Sequence, residues 1–197
     1  RLKLKHTFEE AMRAAYKAVL CSPDFLFLQE KSGNLDGSSV AARLSFLLWN
    51  STPEDALLGA SGRLGDPEAL RAQTERLLAD PRSERFIEDF LDQWLVLRDL
   101  DSTTPDTKLY PEFEVYLRDS MIAETRAYFR EMMKQDLSVL QVVDSDWAML
   151  NQRLGEHYPI PGVEGATVKR TALPPGSHRG GLLTQAAVLK VTANGTT

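Results

Sequence analysis

Signals that start α-helices recur along the chain, and they constrain its fold more than any other feature. Thr7 followed by Glu10 forms a capping box, in which each side chain accepts a hydrogen bond from a backbone N–H of the first turn. Proline at the first helical position loses only an N–H that has no partner there. A cap residue followed by proline recurs at Thr52-Pro53, Asp66-Pro67 and Asp80-Pro81.

Apolar residues at helical spacing extend these starts into helices. Ser38 or Ser39 is predicted to cap a helix that ends near Trp49. Its apolar side chains point in nearly every direction, which predicts a central, buried helix. The longest helix is predicted over residues 112–134.

The composition changes at Pro159, where prolines and glycines end the helical pattern. Another helix is predicted from Asp144 or Asp146, carrying Trp147 and Tyr158. Residues 167–173 are a candidate for a short strand, and the apolar residues of 182–191 are expected to pack on the helices. The sequence therefore predicts a mainly α fold. A helical bundle over residues 7–158 is followed by a short irregular C-terminal extension.

Composition excludes several classes of protein. The 197 residues include 23 Lys and Arg against 28 Asp and Glu, a net charge of −5, which argues against nucleic acid as the main partner. No apolar run approaches the roughly 20 residues of a membrane span. With Cys21 as the single cysteine, there is no internal disulfide and no C-x-x-C-H haem attachment.

Residues that could carry chemistry are few. The three histidines, His6, His157 and His178, share no ligand spacing, so no metal site is predicted. Glu124 is a weak candidate for a catalytic carboxylate, because it falls between Phe113 and Leu117 on the apolar stripe of its helix.

Two further polar residues share this unusual placement. Arg43 falls between Phe46 and Leu47, and Asn151 lies on the face of Trp147 and Tyr158. A charge within an apolar stripe must be paired or reach solvent. Arg43, Glu124 and Asn151 are therefore predicted as structural polar residues. Arg43 and Glu124 are expected to be at least half-buried, with each other as one candidate pair.

A basic, glycine-containing loop precedes the last apolar segment. It contains Ser177, His178, Arg179, Gly180 and Gly181. Backbone N–H groups in such a loop can bind an anion or another ligand. The alternative is a tight turn that packs its backbone closely against a neighbour.

Several blocks of this sequence resemble planctomycete families that accompany surface c-type cytochromes. Residues 40–49, 52–58, 78–82 and 90–94 resemble the planctomycete surface domain. Residues 150–154, 157–158, 160–162 and 179–186 resemble the start of the adjoining cytochrome-associated domain, and residues 18–27 resemble the end of a third domain.

The resemblance implies three parts and a setting, but no reaction. Residues 1–34 would end a preceding helical domain, 35–137 would form the surface domain, and 138–197 would be a truncated N-terminal part of the adjoining domain. These families are domains of unknown function in large, exported or cell-surface (periplasmic) proteins. The expected partners are neighbouring domains of the same polypeptide, with a c-type cytochrome as a candidate. No cofactor is expected in this chain, and other parts of the full-length protein are candidates for holding a haem.

Three functions remain open at this point. The leading hypothesis is a non-catalytic structural or interaction module of an exported, cytochrome-linked multidomain protein. The second is an enzyme acting on an extracellular polymer or a small substrate, with Glu124, His178 and Arg179 as candidates. The third is a docking domain for an electron-transfer partner.

Overall fold

The computed structural model describes residues 7–28, 30 and 32–193. Helices dominate and the described strands form one two-stranded sheet, which confirms the mainly α prediction. The chain forms two compact units that divide between Ser83 and Glu84, inside the predicted bundle. The three predicted domain parts, 1–34, 35–137 and 138–197, stay a prediction. Their residues 1–6, 29, 31 and 194–197 lie outside the described part of the chain.

The first unit begins with two helices that bury none of their residues. Helix α1, Phe8–Leu20, has the predicted capping box between Thr7 and Glu10. Helix α2, Pro23–Leu26, has Ser22 as its cap, and the Ser22 hydroxyl accepts the Phe25 N–H. The predicted capping box is therefore confirmed, but neither helix contributes to the core.

The core of the first unit lies between three other helices: α3 at Gly37–Trp49, α4 at Asp55–Gly59 and α5 at Pro67–Ala79. Two predictions about α3 are wrong. Its cap is Asp36, whose carboxylate accepts the Ser39 N–H, and not Ser38 or Ser39. It is also not buried all round, since Leu47 is 61% exposed.

Close contacts fix α3 against the following segment. A Cβ at Gly37 would lie 1.8 Å from the Ser61 carbonyl oxygen, so this position requires glycine. The fully buried Trp49 donates its indole N–H to the Leu77 carbonyl at 3.0 Å. The Arg82 guanidinium lies 3.5 Å from the centre of the Trp49 ring, a cation–π contact that covers the indole.

The second unit is built around one long helix. Helix α6 spans Glu84–Trp94, and helix α7 spans Val115–Lys134, close to the predicted 112–134. The buried face of α7 includes Leu117, Met121 and Tyr128. The Tyr128 ring stacks on Trp147 with the ring centres 4.1 Å apart. Aromatic stacking of this kind adds to the large area that both rings bury.

The predicted helix from Asp144 or Asp146 is wrong in its first part. Strand β1, Trp147–Leu150, pairs antiparallel with strand β2, Lys169–Ala172. Helix α8 begins only at Gln152 and ends at His157. The apolar residues have helical spacing, which predicts a helix. They form a strand because the backbone of β1 finds its hydrogen-bond partners in a segment about twenty residues later. The strand predicted within 167–173 is confirmed.

The C-terminal segment is ordered and packed as predicted. A short 3-10 turn, Leu182–Thr184, leads into helix α9, Ala186–Thr192. Leu182 and Ala187 are fully buried within the second unit. Helix α9 packs against helix α7.

Candidate functional site

Helix α7 carries a carboxyl group into the core of the second unit. Glu124 is on the same face as Leu117 and Met121 and is only 1% exposed. Its Oε2 atom accepts a hydrogen bond of 2.5 Å from the Tyr158 hydroxyl. The prediction that Glu124 is buried and meets a polar partner is confirmed.

Tyr158 connects three segments through one hydroxyl group. It follows α8, donates to Glu124 on α7 and accepts the Ala186 N–H at the start of α9, at 2.8 Å. Burial raises the pKa of Tyr158, and the negative charge of Glu124 raises it further. The hydroxyl therefore keeps its proton and acts as a permanent donor to Glu124.

Burial also controls the state of Glu124. It raises the pKa of this carboxyl from 4.5 to about 8, and the Tyr158 hydrogen bond and the charge of Arg179 oppose the shift only in part. The carboxyl is therefore mostly protonated at pH 7. A neutral carboxylic acid, held by a tyrosine and enclosed by the core, suits a structural role.

The glycine-containing loop is folded on its own hydrogen bonds. The Arg179 N–H donates to Ser177 Oγ at 3.1 Å, the Gly180 N–H to Thr184 Oγ1 at 3.0 Å and the Gly181 N–H to Ser145 Oγ at 2.9 Å. These three N–H groups are engaged within the chain. Anion binding by this loop stays a prediction.

The two glycines of this loop are where the backbone approaches its neighbours. A Cβ at Gly180 would lie 2.4 Å from the Ser145 carbonyl oxygen, and one at Gly181 would lie 2.5 Å from the Val143 carbonyl carbon. Both have positive φ, 159° and 68°. The turn therefore packs its backbone closely against its neighbours, which is the alternative that the sequence offers to ligand binding.

Arg179 lies over the buried cluster, which consists of Glu124, Tyr158 and the Ala186 N–H. Its guanidinium carbon is 4.3 Å from the centre of the Tyr158 ring, and its Nη1 donates to the Thr184 carbonyl at 2.9 Å. Of the five loop residues, Arg179 lines the neighbouring cleft. His178 is exposed and Ser177 is half-buried.

The other two predicted polar residues behave differently from each other. Asn151 caps α8 by accepting the Leu154 N–H and donates to Ser120 Oγ and to the Ala166 carbonyl, as a structural residue should. The prediction for Arg43 is wrong on burial, since its side chain is 58% exposed and pairs with Glu30 rather than with Glu124. The position on the helical wheel is reachable from solvent because α3 is covered on one side only.

A cleft of 560 Å³ opens beside the buried cluster. Its walls come from the loop before α7, from α7 itself and from α9. The apolar part of the lining includes Tyr110, Phe113, Leu117, Met121, Ala186 and Leu189. The charged or titratable residues of the lining are Glu112, His157, Arg179 and Lys190.

The electrostatic environment of the cleft is set by its cations. Burial lowers the pKa of His157, and the charges of Arg179 and Arg153 lower it further, whereas Glu112 opposes them.

Lys190 donates to the carbonyls of Leu100 and Thr103 and to the Thr103 hydroxyl. It therefore holds α9 in place.

Tyr158, His157 and Lys190 belong to this region although the sequence did not predict them as site residues. Tyr158 lies in a predicted apolar stripe. A buried tyrosine hydroxyl needs a hydrogen-bond partner, and this need was the signal that could have linked Tyr158 to a buried carboxyl. His157 is the last residue of α8 and lies half-buried at the cleft. Nothing in the sequence places Lys190 beside Thr103, which is 87 residues away.

A second feature lies in the first unit. The apolar stripe of α1 is exposed along its whole length: Phe8 is 80% exposed, Tyr16 63% and Val19 57%. The neighbouring Phe25 and Phe27 are exposed as well. We call Phe8, Met12, Tyr16, Val19 and Leu20 the α1 apolar face.

The described residues contain neither a metal-ligand cluster nor a membrane-spanning helix. Within residues 7–28, 30 and 32–193, no group of three or more His, Cys, Asp or Glu side chains has an arrangement that could hold a metal ion. No helix in the same part of the chain is both long enough and apolar enough to cross a bilayer.

Comparison with known proteins gives one family. The chain matches no curated protein and no solved structure. Residues 35–160, more than half of the chain, match the family described as "PSD4: Protein of unknown function (DUF1592)". This stretch contains α3 to α8, with Glu124 and Tyr158. The chain is therefore a member of the DUF1592 family, whose function is unknown.

Proposed function

We propose that this chain is a non-catalytic interaction module of an exported, c-type-cytochrome-linked multidomain protein. The observation that supports it is the α1 apolar face. Helix α1 is 13 residues long, has a complete capping box and buries none of its residues. The proposed occupant of this face is a neighbouring domain of the same polypeptide.

The physical argument rests on what such a face costs in water. Burying a large apolar side chain stabilises a protein by about 1.5–3 kcal/mol, and the α1 apolar face has five such side chains exposed. Contiguous apolar patches of this kind mark interaction sites on protein surfaces. A helix of about this length is also marginal alone in water, so a partner would stabilise α1 itself.

The charged groups of the second unit favour binding over catalysis. Glu124 is enclosed and does not line the cleft, and the Tyr158 hydroxyl is committed to Glu124 and Ala186. A general acid or base must reach the proton that it transfers. The enzyme alternative names Glu124, His178 and Arg179 as its residues. A substrate in the cleft could not reach the Glu124 carboxyl, which disfavours this alternative.

The setting is part of the same proposal. We place the haem outside this chain, because its single cysteine cannot form a C-x-x-C-H attachment. The neighbouring cytochrome would lie outside the cytoplasm, as expected for a surface or periplasmic protein. A docking domain for an electron-transfer partner differs only in requiring the partner to be a separate molecule.

The experiment is site-specific cross-linking in the full-length polypeptide. Tyr16 is replaced by the photo-reactive p-benzoylphenylalanine, and cross-linked peptides are identified by mass spectrometry after proteolysis. The proposal expects peptides from outside this 197-residue segment. The absorbance of c-type haem in the same purified polypeptide tests the cytochrome link.

The matched control puts the same cross-linker at Arg71, whose side chain is 81% exposed on α5 of the same unit. It should yield no adduct with the same domain. Adducts at Tyr16 that map within this segment, or no adduct above the Arg71 control, would contradict the proposal. An adduct with a separate haem protein would favour the electron-transfer alternative instead.

A further inference from the structure

We propose that the cleft of the second unit binds a small monocarboxylate with an apolar body, whose carboxylate pairs with Arg179. The inference is independent of the α1 apolar face, because it rests on other residues in the other unit. It assigns the cleft a ligand class from its shape, its lining and its charges.

Shape and lining favour a small organic ligand. A volume of 560 Å³ lies within the range of about 300–1,000 Å³ that is typical of small-molecule sites. The aromatic rings of Tyr110 and Phe113 and the aliphatic chains of Met121 and Leu189 line it. Such walls suit an apolar or aromatic body rather than a sugar or an inorganic ion.

The charges of the lining favour an anion. Arg179 and Lys190 stand against one carboxylate, Glu112, although the chain as a whole has a net charge of −5. In the described part of the chain, Arg179 forms no ion pair. Burial lowers the pKa of His157, and the charge of Arg179 lowers it further.

The donors of Arg179 indicate which kind of anion. Nη1 is used by the Thr184 carbonyl, and among the described residues Nε and Nη2 donate to no protein atom. These two N–H groups form one edge of the guanidinium, which matches the two oxygens of a carboxylate. Lys190 already donates to three oxygens. The cleft therefore offers one cation, Arg179, with free donors for an anionic ligand.

The guanidinium is also held ready for a ligand. Its contact with the Tyr158 ring and its bond to Thr184 fix its plane before any ligand arrives. Tyr158 is in turn fixed by Glu124 and by the Ala186 N–H. Glu124, Tyr158 and the Ala186 N–H thus position Arg179, which reduces the conformational entropy that the arginine side chain would lose when a ligand binds.

The test is calorimetric titration of the 197-residue chain with 4-phenylbutyrate. Its neutral amide and inorganic phosphate serve as matched probes, one without the charge and one without the apolar body. We expect saturable binding of 4-phenylbutyrate at one site per chain. Each of the other two probes should bind at least about tenfold more weakly, because a charged hydrogen bond or the apolar contact is lost.

Two variants locate the site. Arg179→Gln removes the anchor and should weaken binding about tenfold or more. Because Arg179 also braces its loop, a second variant, Leu189→Glu, puts a repelling carboxylate on a wall residue that is 48% exposed and tolerates charge. Its control, Leu183→Glu, alters a residue that is 44% exposed and does not line the cleft.

The proposal requires Leu189→Glu to weaken binding as Arg179→Gln does, while Leu183→Glu leaves it unchanged. No binding of 4-phenylbutyrate at millimolar concentration would overturn it. Equal binding of the acid and its amide would overturn it as well, and so would binding that neither cleft variant reduces.

Discussion

Helices α1 and α9 both have an apolar stripe, but the stripe of α9 is partly buried and the stripe of α1 is exposed. Helix α9 and the turn before it bury Leu182, Ala186 and Ala187 in the second unit. Helix α1 is longer and better capped, yet buries nothing. The comparison shows that an apolar stripe on a helix does not by itself determine whether the helix is buried within its own unit.

The largest difference between the two helices should appear on truncating a matched leucine in each region. Leu182→Ala removes a fully buried side chain and should lower the free energy of unfolding by about 2–5 kcal/mol. Leu20→Ala, at a site 52% exposed, should change it by no more than about 0.5 kcal/mol. Urea unfolding followed by circular dichroism measures both, and equal losses would show that α1 is packed after all.

The second prediction concerns the carboxyl that the packing of α9 helps to enclose. Because the pKa of Glu124 is about 8 in the folded chain and 4.5 is its ordinary value, the folded state binds its proton more tightly. Stability should therefore fall as the pH rises from 5 to 8, on the order of 3 kcal/mol. Urea unfolding at both pH values measures the loss.

Glu124→Gln is the control for this pH dependence. The amide has the shape of the protonated acid and still accepts from Tyr158, but it cannot ionise. The variant should match the wild type at pH 5 and exceed its stability at pH 8. A variant less stable than the wild type at pH 8 would mean that Glu124 is held as a charged group.

The smallest effect is expected in the first unit, at the half-buried carboxylate of Asp80. Hydrogen bonds from Arg82 lower the pKa of Asp80 from 3.8 to about 2, the opposite direction to Glu124. Asp80 therefore stabilises the folded state above its ordinary pKa, and this contribution is lost as the pH falls through 2.

Asp80→Asn should accordingly cost a little stability at pH 7 and less at pH 2, where part of the Asp80 carboxyl is protonated. The cost should shrink between about 0.1 M and 1 M salt, because exposed pairs are screened. Urea midpoints under the four conditions test this. A cost independent of salt would indicate that the group is more enclosed than its geometry shows.

How far the sequence predicts this molecule depends on the range of the interaction involved. Caps act within four residues, so the starts of α1 at Thr7 and of α5 at Asp66 follow from the sequence. Strand β1 does not, because its partner strand lies about twenty residues away.

The same limit applies to the candidate site. Glu124 and Arg43 both stood within apolar stripes, yet one is enclosed and the other is exposed beside Glu30. A helical wheel gives the direction of a side chain but not the depth of the protein above it. The cleft joins residues from 105 to 193, and that assembly could be found only from the structure.

Hydrogen exchange of the monomeric chain tests most directly the claim that α1 presents an apolar face without a covering partner. The amides of Phe8–Leu20 should exchange at rates close to those of a free peptide, because a solvent-exposed helix of this length opens readily. The amides of Ala186–Thr192 should be slowed by packing in the second unit. If α1 in the monomer is protected as strongly as α9, its apolar face is covered within the chain, and the interaction module loses its main support.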